Sequence, residues 1–438
     1  MTSTKPPLSE QKLQHAMRSS LMWKFRFYGF FKNLRFFEPF LFIMLLRLEV
    51  SLFQIGLLAG ISEILIFIFE IPSGIIADKF GKKRELMLCF IFYIISFVFY
   101  FLGVNPSQNR LRMLWLIIAS VFFGLGESFR SGTHKAMEML WMDKEGITNF
   151  KTHVYGSSRQ YSQLGSALSA ILAILLVIFI PANQYIFLIT IIPYLIDFFL
   201  IASYPDYMND HKPNKQKFWP EVKEGFKEIK EIFRARKIGQ GILSSASYDS
   251  IFKSLKDYIQ PIMLILIVDL VIILGQEAGQ EELWISIFLG ILYAIFYLVS
   301  SFSSKYAYKF KKMVGHSKKA MDILFDLFAV VLFLEALFLW LNIPFAVIFL
   351  YMLIYVFENF RRPLFVDYMG DIMPKDKRAT ILSVESQIKA LFVLFFAPLF
   401  GLIADYSIPL LFFLLSILML VGNHFLRKEI SNSKLEED

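Results

Sequence analysis

Cysteine and charged residues are both scarce in this sequence of 438 residues. Its one cysteine, Cys89, excludes an internal disulfide. Charged residues make up 19% of the chain, whereas apolar residues make up 56% and include 49 phenylalanines. A soluble globular protein of this length would need more polar surface than such a composition offers. The composition therefore indicates an integral membrane protein that is embedded in a lipid bilayer.

Catalytic and cofactor motifs are missing as well. The chain has no HExxH zinc motif, cysteine-rich metal pattern, phosphate-binding loop or Gly-x-Ser-x-Gly elbow. We therefore expect no enzyme activity, no cofactor and no metal, and no transport driven by ATP. An intramembrane enzyme that uses His134 and a carboxylate stays open as an alternative without a motif. The net charge of +8 indicates membrane topology and not nucleic-acid binding.

Twelve apolar segments are long enough to be predicted as membrane spans. Their approximate limits are 25–46, 52–77, 85–104, 113–139, 156–180, 184–204, 239–268, 282–304, 319–341, 344–369, 379–404 and 408–426. The connections on one side of these spans contain 31 Lys and Arg residues, and those on the other side contain 3. The positive-inside rule therefore predicts that both termini are cytoplasmic. We expect the inner or plasma membrane as the location.

The longest connection, residues 205–238, follows the sixth span. Its apolar residues recur at three- and four-residue spacing with lysines between them, which predicts a basic amphipathic helix on the cytoplasmic membrane surface. These residues are Trp219, Val222, Phe226, Ile229 and Phe233. A regulatory partner site is the alternative interpretation. The predicted organisation is an N-terminal six-helix bundle (1–204), this linker (205–238) and a C-terminal six-helix bundle (239–438).

Two charged motifs occur once in each half of the chain. Glu127-Ser128-Phe129-Arg130 reappears 231 residues downstream as Glu358-Asn359-Phe360-Arg361. Phe31-Lys32-Asn33-Leu34-Arg35 reappears 221 residues downstream as Phe252-Lys253-Ser254-Leu255-Lys256, and a proline follows each copy. Motifs that recur in the same order inside apolar sequence suggest two related halves. The two prolines predict helix kinks at matching places.

The stretch from Gly74 to Arg84 resembles the signature loop of the major facilitator superfamily, which has Gly, three residues, Asp, two residues, Gly and a basic cluster. With the twelve spans, the repeated halves and the long central loop, the resemblance covers nearly the whole chain. It implies an all-α membrane protein with twelve transmembrane helices in two pseudo-symmetric six-helix bundles. It also implies a secondary transporter that works by alternating access. The predicted cytoplasmic gate consists of Gly74, Asp78, Gly81, Lys82, Lys83 and Arg84.

Two positions depart from patterns within this superfamily. In the second half, Tyr308 stands where the counterpart of Asp78 would be. The fifth span reads Gly165-Ser166-Ala167 and lacks the Gly-Pro motif of the drug–proton antiporters. Multidrug-type efflux of amphiphiles is therefore an alternative and not the first hypothesis.

By resemblance, the first, fourth, seventh and tenth spans line the central pathway, and the sequence concentrates its charges on these four. The predicted substrate and coupling residues are Lys32, Arg35, Glu38, Glu127, Arg130, Lys253, Lys256, Asp257, Glu358 and Arg361. An isolated charge at that depth costs about 2.5–3.5 kcal/mol on insertion scales, so these side chains are expected to face one another or water. The alternative is that these charges have a purely structural role, in which Glu127 pairs with Arg130 and Glu358 pairs with Arg361.

The charges on these four spans also predict the class of substrate. The predicted site residues on the four spans include six cations and four carboxylates, and such a surplus of positive charge attracts anions. We therefore expect a small organic anion, or a zwitterion held by its acidic end. Protons are a candidate coupling ion, with Glu127 and Glu38 as the first candidate carriers. A monomer is expected, and a membrane receptor or scaffold that does not transport is the alternative from another class.

Overall fold

The structure of the chain is a computed structural model that describes residues 8–130, 133–147, 150–180, 182–209, 232, 234–264, 281–373 and 378–434. Within these ranges the chain is helical and contains no strand. The helices are α1 (Leu8–Met17), α2 (Ser20–Lys32), α3 (Leu41–Arg47), α4 (Leu52–Phe80), α5 (Lys82–Gly103), α6 (Arg112–Arg130), α7 (Thr133–Glu145), α8 (Lys151–Phe179), α9 (Tyr185–Ala202), α10 (Arg236–Leu255), α11 (Glu281–Val314), α12 (Ser317–Trp340), α13 (Pro344–Ile372), α14 (Arg378–Tyr406) and α15 (Ile408–Lys434). Short 3₁₀ helices occupy Glu38–Phe40, Pro106–Leu111 and Asp206–Met208.

Nine helical segments in the described ranges are long and apolar enough to cross a membrane. They are α4, α5, the stretch Pro106–Glu145 that includes α6 and α7, α8, α9, α12, α13, α14 and α15. Many of their large apolar side chains are exposed, among them Phe179, Phe199 and Phe395. Such an apolar surface is unfavourable in water and suits contact with lipid. The shorter apolar segment Trp284–Ser300 lies within the eighth predicted span.

The first predicted span is broken in its middle. Helix α2 ends at Lys32, and α3 begins only after a short 3₁₀ helix. Asn33 is the C-cap of α2, and its side-chain amide donates a hydrogen bond to the Gly29 carbonyl at 2.6 Å. Pro39 has no N–H group with which to continue a helix. The sequence predicts a kink at this place, and the structure has a complete interruption of the helix.

The seventh predicted span is broken at the corresponding place. Helix α10 ends at Leu255, residues 256–258 form a turn, and the helix resumes at Ile259. The sequence motif at residues 31–35, repeated at 252–256, therefore marks both breaks. A break inside an apolar segment leaves backbone carbonyls without helical partners, so polar side chains must lie beside it.

The chain divides into two compact units. Unit 1 contains Met1–Glu38 and Ile68–Val222, and unit 2 contains Pro39–Phe67 and Lys223–Asp438. The first passage from unit 1 to unit 2 falls between Glu38 and Pro39, inside the break of the first span. The second passage, back to unit 1, falls inside the continuous helix α4.

Each unit has its own helix packing. In unit 1, α5 packs against α6 and α9, and α2 packs against α8. The approach of α2 to α8 is close, because a Cβ atom added at Gly165 would lie 2.4 Å from the Phe30 carbonyl oxygen. In unit 2, α12 packs against α13 and α15, and α10 packs against α14. These helix contacts position the polar side chains that are described in the next subsection.

Most of the predicted linker lies outside the described residues. This applies to the predicted amphipathic helix with Trp219, Val222, Phe226, Ile229 and Phe233. The organisation into residues 1–204, 205–238 and 239–438 therefore remains a prediction.

Candidate functional site

One carboxylate near the end of α6 holds two arginines of unit 1. Glu127 Oε1 accepts a hydrogen bond from Arg35 Nη2 at 2.7 Å, and Glu127 Oε2 accepts one from Arg130 Nη2 at 2.5 Å. Arg130 is three residues along the same helix, so the pairing that the sequence analysis gave as an alternative is present. Arg35 comes from the break of the first span. We call Glu127, Arg35, Arg130 and the nearby Lys32 the Glu127 cluster.

Tyrosine side chains from two other helices hold the arginines of the Glu127 cluster in position. Arg35 Nε donates a hydrogen bond to Tyr194 Oη at 2.8 Å, and Arg130 Nε donates one to Tyr93 Oη at 3.2 Å. The Arg35 guanidinium also lies 5.0 Å from the centroid of the Phe123 ring, within the range of a cation–π contact. These supports lie on α9, α5 and α6, so the guanidinium groups have fixed orientations.

Each arginine of the cluster has one guanidinium nitrogen that donates no hydrogen bond within the described ranges. Arg35 and Arg130 both use Nε and Nη2, and in the described ranges neither Nη1 group has a hydrogen-bond partner. The side chains of Arg35 and Glu127 are each 16% exposed and that of Arg130 is 27% exposed. The cluster is therefore partly exposed, and its free N–H groups are donors suited to an anion.

Lys32 completes the cluster at the end of α2. Its backbone carbonyl accepts a hydrogen bond from the Tyr194 hydroxyl at 3.0 Å, which satisfies a carbonyl left free by the helix break. Its amine forms no hydrogen bond or ion pair within the part of the chain that the structure describes. Glu38, also predicted as a site residue, acts electrostatically on Arg35. Three cations and one shared carboxylate thus make up the cluster.

Sequence reasoning missed Asp197, which lies on α9 one turn after Tyr194. The side chain is fully buried, and in the described ranges neither carboxyl oxygen has a hydrogen-bond partner. A lone carboxyl group in an apolar span is itself a signal of function. The sequence analysis found charges through repeated motifs, and Asp197 belongs to none of them.

A second polar cluster lies in unit 2 around the buried Arg361 of α13. Its Nη2 donates hydrogen bonds to the Ser244 carbonyl at 2.9 Å and to the Ser244 hydroxyl at 3.2 Å. Its Nη1 lies 3.4 Å from Asp249 Oδ1, and its guanidinium lies 4.3 Å from the Tyr248 ring centroid. Arg361 thus pairs with Asp249 and not with Glu358, which forms no ion pair among the described residues.

The remaining predicted cations of unit 2 also have carboxylate partners. Lys253 forms an ion pair with Glu63 of α4, and Lys256 Nζ lies 3.3 Å from Asp257 Oδ2. The six-to-four count made from the sequence included neither Glu63 nor Asp249. With these two carboxylates the set has six cations and six carboxylates, so the surplus of positive charge is local: in unit 1, Lys32, Arg35 and Arg130 are accompanied by Glu127 and Glu38 alone from this set.

Tyrosine hydroxyls support the break of the seventh span as they support that of the first. The Tyr355 hydroxyl donates a hydrogen bond to the Lys256 carbonyl at 2.9 Å, and the Tyr351 hydroxyl donates one to the Leu255 carbonyl. The Tyr293 hydroxyl donates one to Asp257 Oδ1 at 3.0 Å. Both helix breaks therefore have their free carbonyl groups satisfied by phenol groups of neighbouring helices.

The structure describes only part of the predicted cytoplasmic gate. Gly81 joins α4 to α5 with a φ of 98°, a conformation that favours glycine, and an added Cβ would lie 2.1 Å from Asn209 Oδ1. Lys83 Nζ donates a hydrogen bond to the Tyr204 carbonyl at 2.8 Å. Lys82 is half-buried, and Gly74 and Arg84 are exposed. The Asp78 side chain lies outside the described residues, so the gate remains a prediction.

A tight contact between α4 and α14 lies in unit 2. Asp405 accepts hydrogen bonds from the backbone N–H groups of Leu52 at 2.7 Å and Phe53 at 2.9 Å, and so caps the first turn of α4. A Cβ at Gly401 would lie 2.2 Å from the Leu52 carbonyl oxygen, and one at Gly56 would lie 2.1 Å from the Ala397 carbonyl oxygen. We call Asp405, Gly401 and Gly56 the α4–α14 latch.

The latch has a sequence signal that was missed. Gly401-Leu402-Ile403-Ala404-Asp405 has the same Gly-x-x-x-Asp spacing as Gly74-Ile75-Ile76-Ala77-Asp78. In the predicted topology, the first stretch ends at an external loop and the second at a cytoplasmic one. The same short pattern thus ends two membrane spans on opposite sides of the predicted bilayer.

Long apolar helices that carry paired charges and broken spans are typical of a membrane transporter. The chain belongs to the major facilitator superfamily, because the family model described as Major Facilitator Superfamily matches residues 28–317. The protein is therefore a multi-pass membrane transporter of this superfamily and not an enzyme.

Similar proteins agree with this assignment. The chain is 22% identical over 397 residues to YxaM of Bacillus subtilis (strain 168), an uncharacterized MFS-type transporter, with 88% of this chain and 89% of that protein covered. A crystal structure of a mutant of the nucleoside transporter NupG is similar with a TM-score of 0.72 at 12% identity, covering 93% of this chain and all of that one. An inward-facing bacterial homologue of the iron transporter ferroportin has a TM-score of 0.66 at 14% identity, with 97% and 99% covered. These likenesses confirm the predicted fold class.

Proposed function

We propose that the protein is a secondary active transporter that moves a small organic anion, or a zwitterion held by its acidic end, by alternating access. The observation that carries this proposal is the surplus of positive charge in the Glu127 cluster. Arg35 and Arg130 share one carboxylate, and the Lys32 amine has no partner within the described ranges. The substrate class rests on this surplus and on no property of the similar proteins.

The geometry of the cluster suits a carboxylate or phosphate group. The free Nη1 groups of Arg35 and Arg130 and the amine of Lys32 are charged donors, and charged donors form the stronger hydrogen bonds to anions. The neighbouring Tyr93, Tyr194 and Phe123 rings would suit an organic body attached to the acid. We propose that the other predicted residues, Glu38, Lys253, Lys256, Asp257, Glu358 and Arg361, contribute to the pathway.

Alternating access needs contacts that close each end of the pathway in turn. We propose the α4–α14 latch as the contact that closes the outer end, and the loop from Gly74 to Arg84 as the cytoplasmic gate. Because the sequence has no ATP-binding motif, accumulation would draw on an ion gradient, and we propose protons as the coupling ion. We further propose a monomer in the plasma membrane, with two six-helix halves and with both termini in the cytoplasm.

The substrate class is tested with three ligands of similar shape: benzoate, benzamide and benzylamine. We expect benzoate alone to raise the melting temperature of the purified protein, since a ligand at 100 times its dissociation constant adds about 2.7 kcal/mol of stability. The Arg35→Gln variant should bind benzoate about tenfold to a hundredfold more weakly, because a hydrogen bond to a charged group contributes about 1.5–3 kcal/mol. Arg112→Gln, at the other end of α6, is the matched control.

Two outcomes would contradict this proposal. Tight benzylamine binding that survives Arg35→Gln, without benzoate binding, would favour the efflux of cationic amphiphiles. Benzoate binding without uptake into vesicles that contain the purified protein, with or without a pH gradient, would favour a receptor or scaffold.

The topology is tested with single cysteines. The native Cys89 is fully buried, so an introduced cysteine is the reactive one. We expect Lys215→Cys in the predicted linker to react with a membrane-impermeant maleimide only after the cells are permeabilised. Tyr406→Cys in a predicted external loop should react in intact cells. External labelling at Lys215→Cys would reverse the predicted orientation.

A further inference from the structure

Asp197 is a buried carboxyl group of unit 1, outside the Glu127 cluster, and neither of its oxygens has a hydrogen-bond partner among the described residues. We propose that Asp197 is the proton-binding site of the transporter and that its proton controls anion binding through Lys32. This inference rests on the proposed anion transport and names the residue that would couple it to protons. The first candidates from the sequence, Glu127 and Glu38, have a different environment.

Burial without partners favours the protonated form of Asp197. Neither oxygen accepts a hydrogen bond from a described residue, and the side chain has no exposed surface. Removing an ionised carboxylate from water in this way costs several kcal/mol, whereas a neutral acid avoids most of that cost. A carboxyl group in such a place binds a proton and releases it only when a cation approaches.

The charged neighbour that can approach Asp197 is Lys32. Lys32 lies at the end of α2, which packs against α9, and the hydroxyl of Tyr194, one turn before Asp197 on α9, donates a hydrogen bond to the Lys32 carbonyl at 3.0 Å. The two are not paired in this structure, because each is free of ion pairs within the described ranges. The lysine amine has a flexible four-carbon stem, so it can move between two partners.

The other titratable groups near Asp197 are two phenols, and the buried imidazole of His134 on α7 contacts both of them. Tyr28 on α2 and Tyr204, just beyond the end of α9, are its further electrostatic neighbours. The Tyr28 hydroxyl is also buried without a hydrogen-bond partner among the described residues. On α5, the buried titratable groups are Glu85, Cys89 and Tyr93; Glu85 accepts a hydrogen bond from Thr133 at 2.7 Å, and Tyr93 accepts one from Arg130 at 3.2 Å.

Glu127 is less suited to carry the proton. Arg35 and Arg130 each donate a hydrogen bond to one of its oxygens. A proton on Glu127 would have to displace a guanidinium from an ideal contact and would leave that charge unpaired. Asp197 has no such contact to lose.

The consequence is a competition for Lys32. When Asp197 is ionised, its charge attracts the Lys32 amine and removes it from the anion site. When Asp197 takes up a proton from water, the amine is free to bind the substrate together with Arg35 and Arg130. Proton binding and anion binding are then positively coupled, which is the relation that a proton–anion symporter requires.

The first test detects the proton directly and needs no ligand. The infrared spectrum of the purified protein at neutral pH should contain the C=O stretching band of a protonated, buried carboxyl group. We expect Asp197→Asn to remove one component of this band and Asp197→Glu to retain it at a shifted position. A spectrum in which Asp197→Asn changes nothing would show that Asp197 is ionised and would overturn the inference.

The second test measures the coupling. Benzoate should bind to the unchanged protein about tenfold more weakly at pH 8 than at pH 6, a value typical of coupling between two sites. In Asp197→Asn we expect a difference of less than about twofold, with affinity close to that at pH 6. The Lys32→Gln variant should also lose the pH dependence of benzoate binding, while the infrared band of the protonated Asp197 persists in that variant.

The matched control is Glu335→Gln in unit 2. Glu335 on α12 is likewise fully buried with both oxygens unpartnered in the described ranges, but burial alone acts on it and no cation does. We expect the Glu335→Gln variant to lose the infrared component of Glu335 and to keep the pH dependence of benzoate binding. Persistence of that dependence in Asp197→Asn would refute the coupling. Absence of benzoate binding in every variant would count against the proposed anion transport, and the infrared result would still decide the proton site.

Discussion

Replacing Glu127 with glutamine is expected to abolish transport and to destabilise unit 1 by about 3 kcal/mol. Removing one partner of a buried ion pair costs about 3–5 kcal/mol, and the partial exposure of Arg35 and Arg130 favours the lower end of that range. Both arginines would lose their carboxylate at once. Thermal unfolding of the purified variant, followed by intrinsic fluorescence, measures the loss, and vesicle uptake measures transport.

A double variant separates the structural role of Glu127 from its role in transport. In Glu127→Gln with Arg130→Gln, one unpaired charge is removed and Arg35 remains unpaired, so we expect about half of the lost stability to return. Transport should stay absent, because two groups of the proposed anion site are missing. Full recovery of uptake would mean that the cluster only neutralises its own charges. Glu145→Gln, at the exposed end of α7, is the control substitution.

Replacing Gly401 with valine is expected to open the α4–α14 latch. The first atom of any side chain at Gly401 would lie 2.2 Å from the Leu52 carbonyl oxygen, so the two helices must separate. Overpacking costs about 1–3 kcal/mol, which shifts a two-state equilibrium by about 5- to 150-fold. We expect Ile55→Cys, buried in this structure, to react with an external maleimide at least about tenfold faster in the Gly401→Val background.

The control for the latch is Gly422→Val on α15, where an added Cβ meets no atom within 4 Å. It should leave the labelling of Ile55→Cys unchanged. Asp405→Asn should accelerate labelling less than Gly401→Val, because loss of a helix N-cap costs about 1 kcal/mol. Equal labelling in all variants would mean that α4 and α14 do not separate during the cycle.

The sequence predicted the helices well because apolar length is a local property. A run of about 20 apolar residues must form a helix in a membrane to satisfy its own backbone, whatever surrounds it. The breaks after Lys32 and Leu255 could not be predicted as interruptions, because they depend on tyrosine hydroxyls of distant helices. The sequence did mark their positions, since the repeated motif covers both.

The candidate site was less predictable, because pairs between helices have no fixed spacing. The contact of Glu127 with Arg130 follows from a three-residue separation on one helix. The contacts of Glu127 with Arg35, Arg361 with Asp249 and Lys253 with Glu63 depend on which helices are neighbours. The sequence therefore identified most of the charged residues in these clusters, but the alternative pairing of Arg361 with Glu358 is not the one that the structure has.

Within the described ranges the chain passes between its two units at two places, and these two connections differ in their backbone structure. At Glu38–Pro39, the chain passes from unit 1 to unit 2 where no continuous helix has to bend, so rotation there strains few backbone hydrogen bonds. At Phe67–Ile68, the chain returns inside α4, a helix of 29 residues with Pro72 one turn away. Bending the first connection would break few helical hydrogen bonds. Bending the second would deform a continuous helix, most easily near Pro72, where the proline lacks a backbone N–H group.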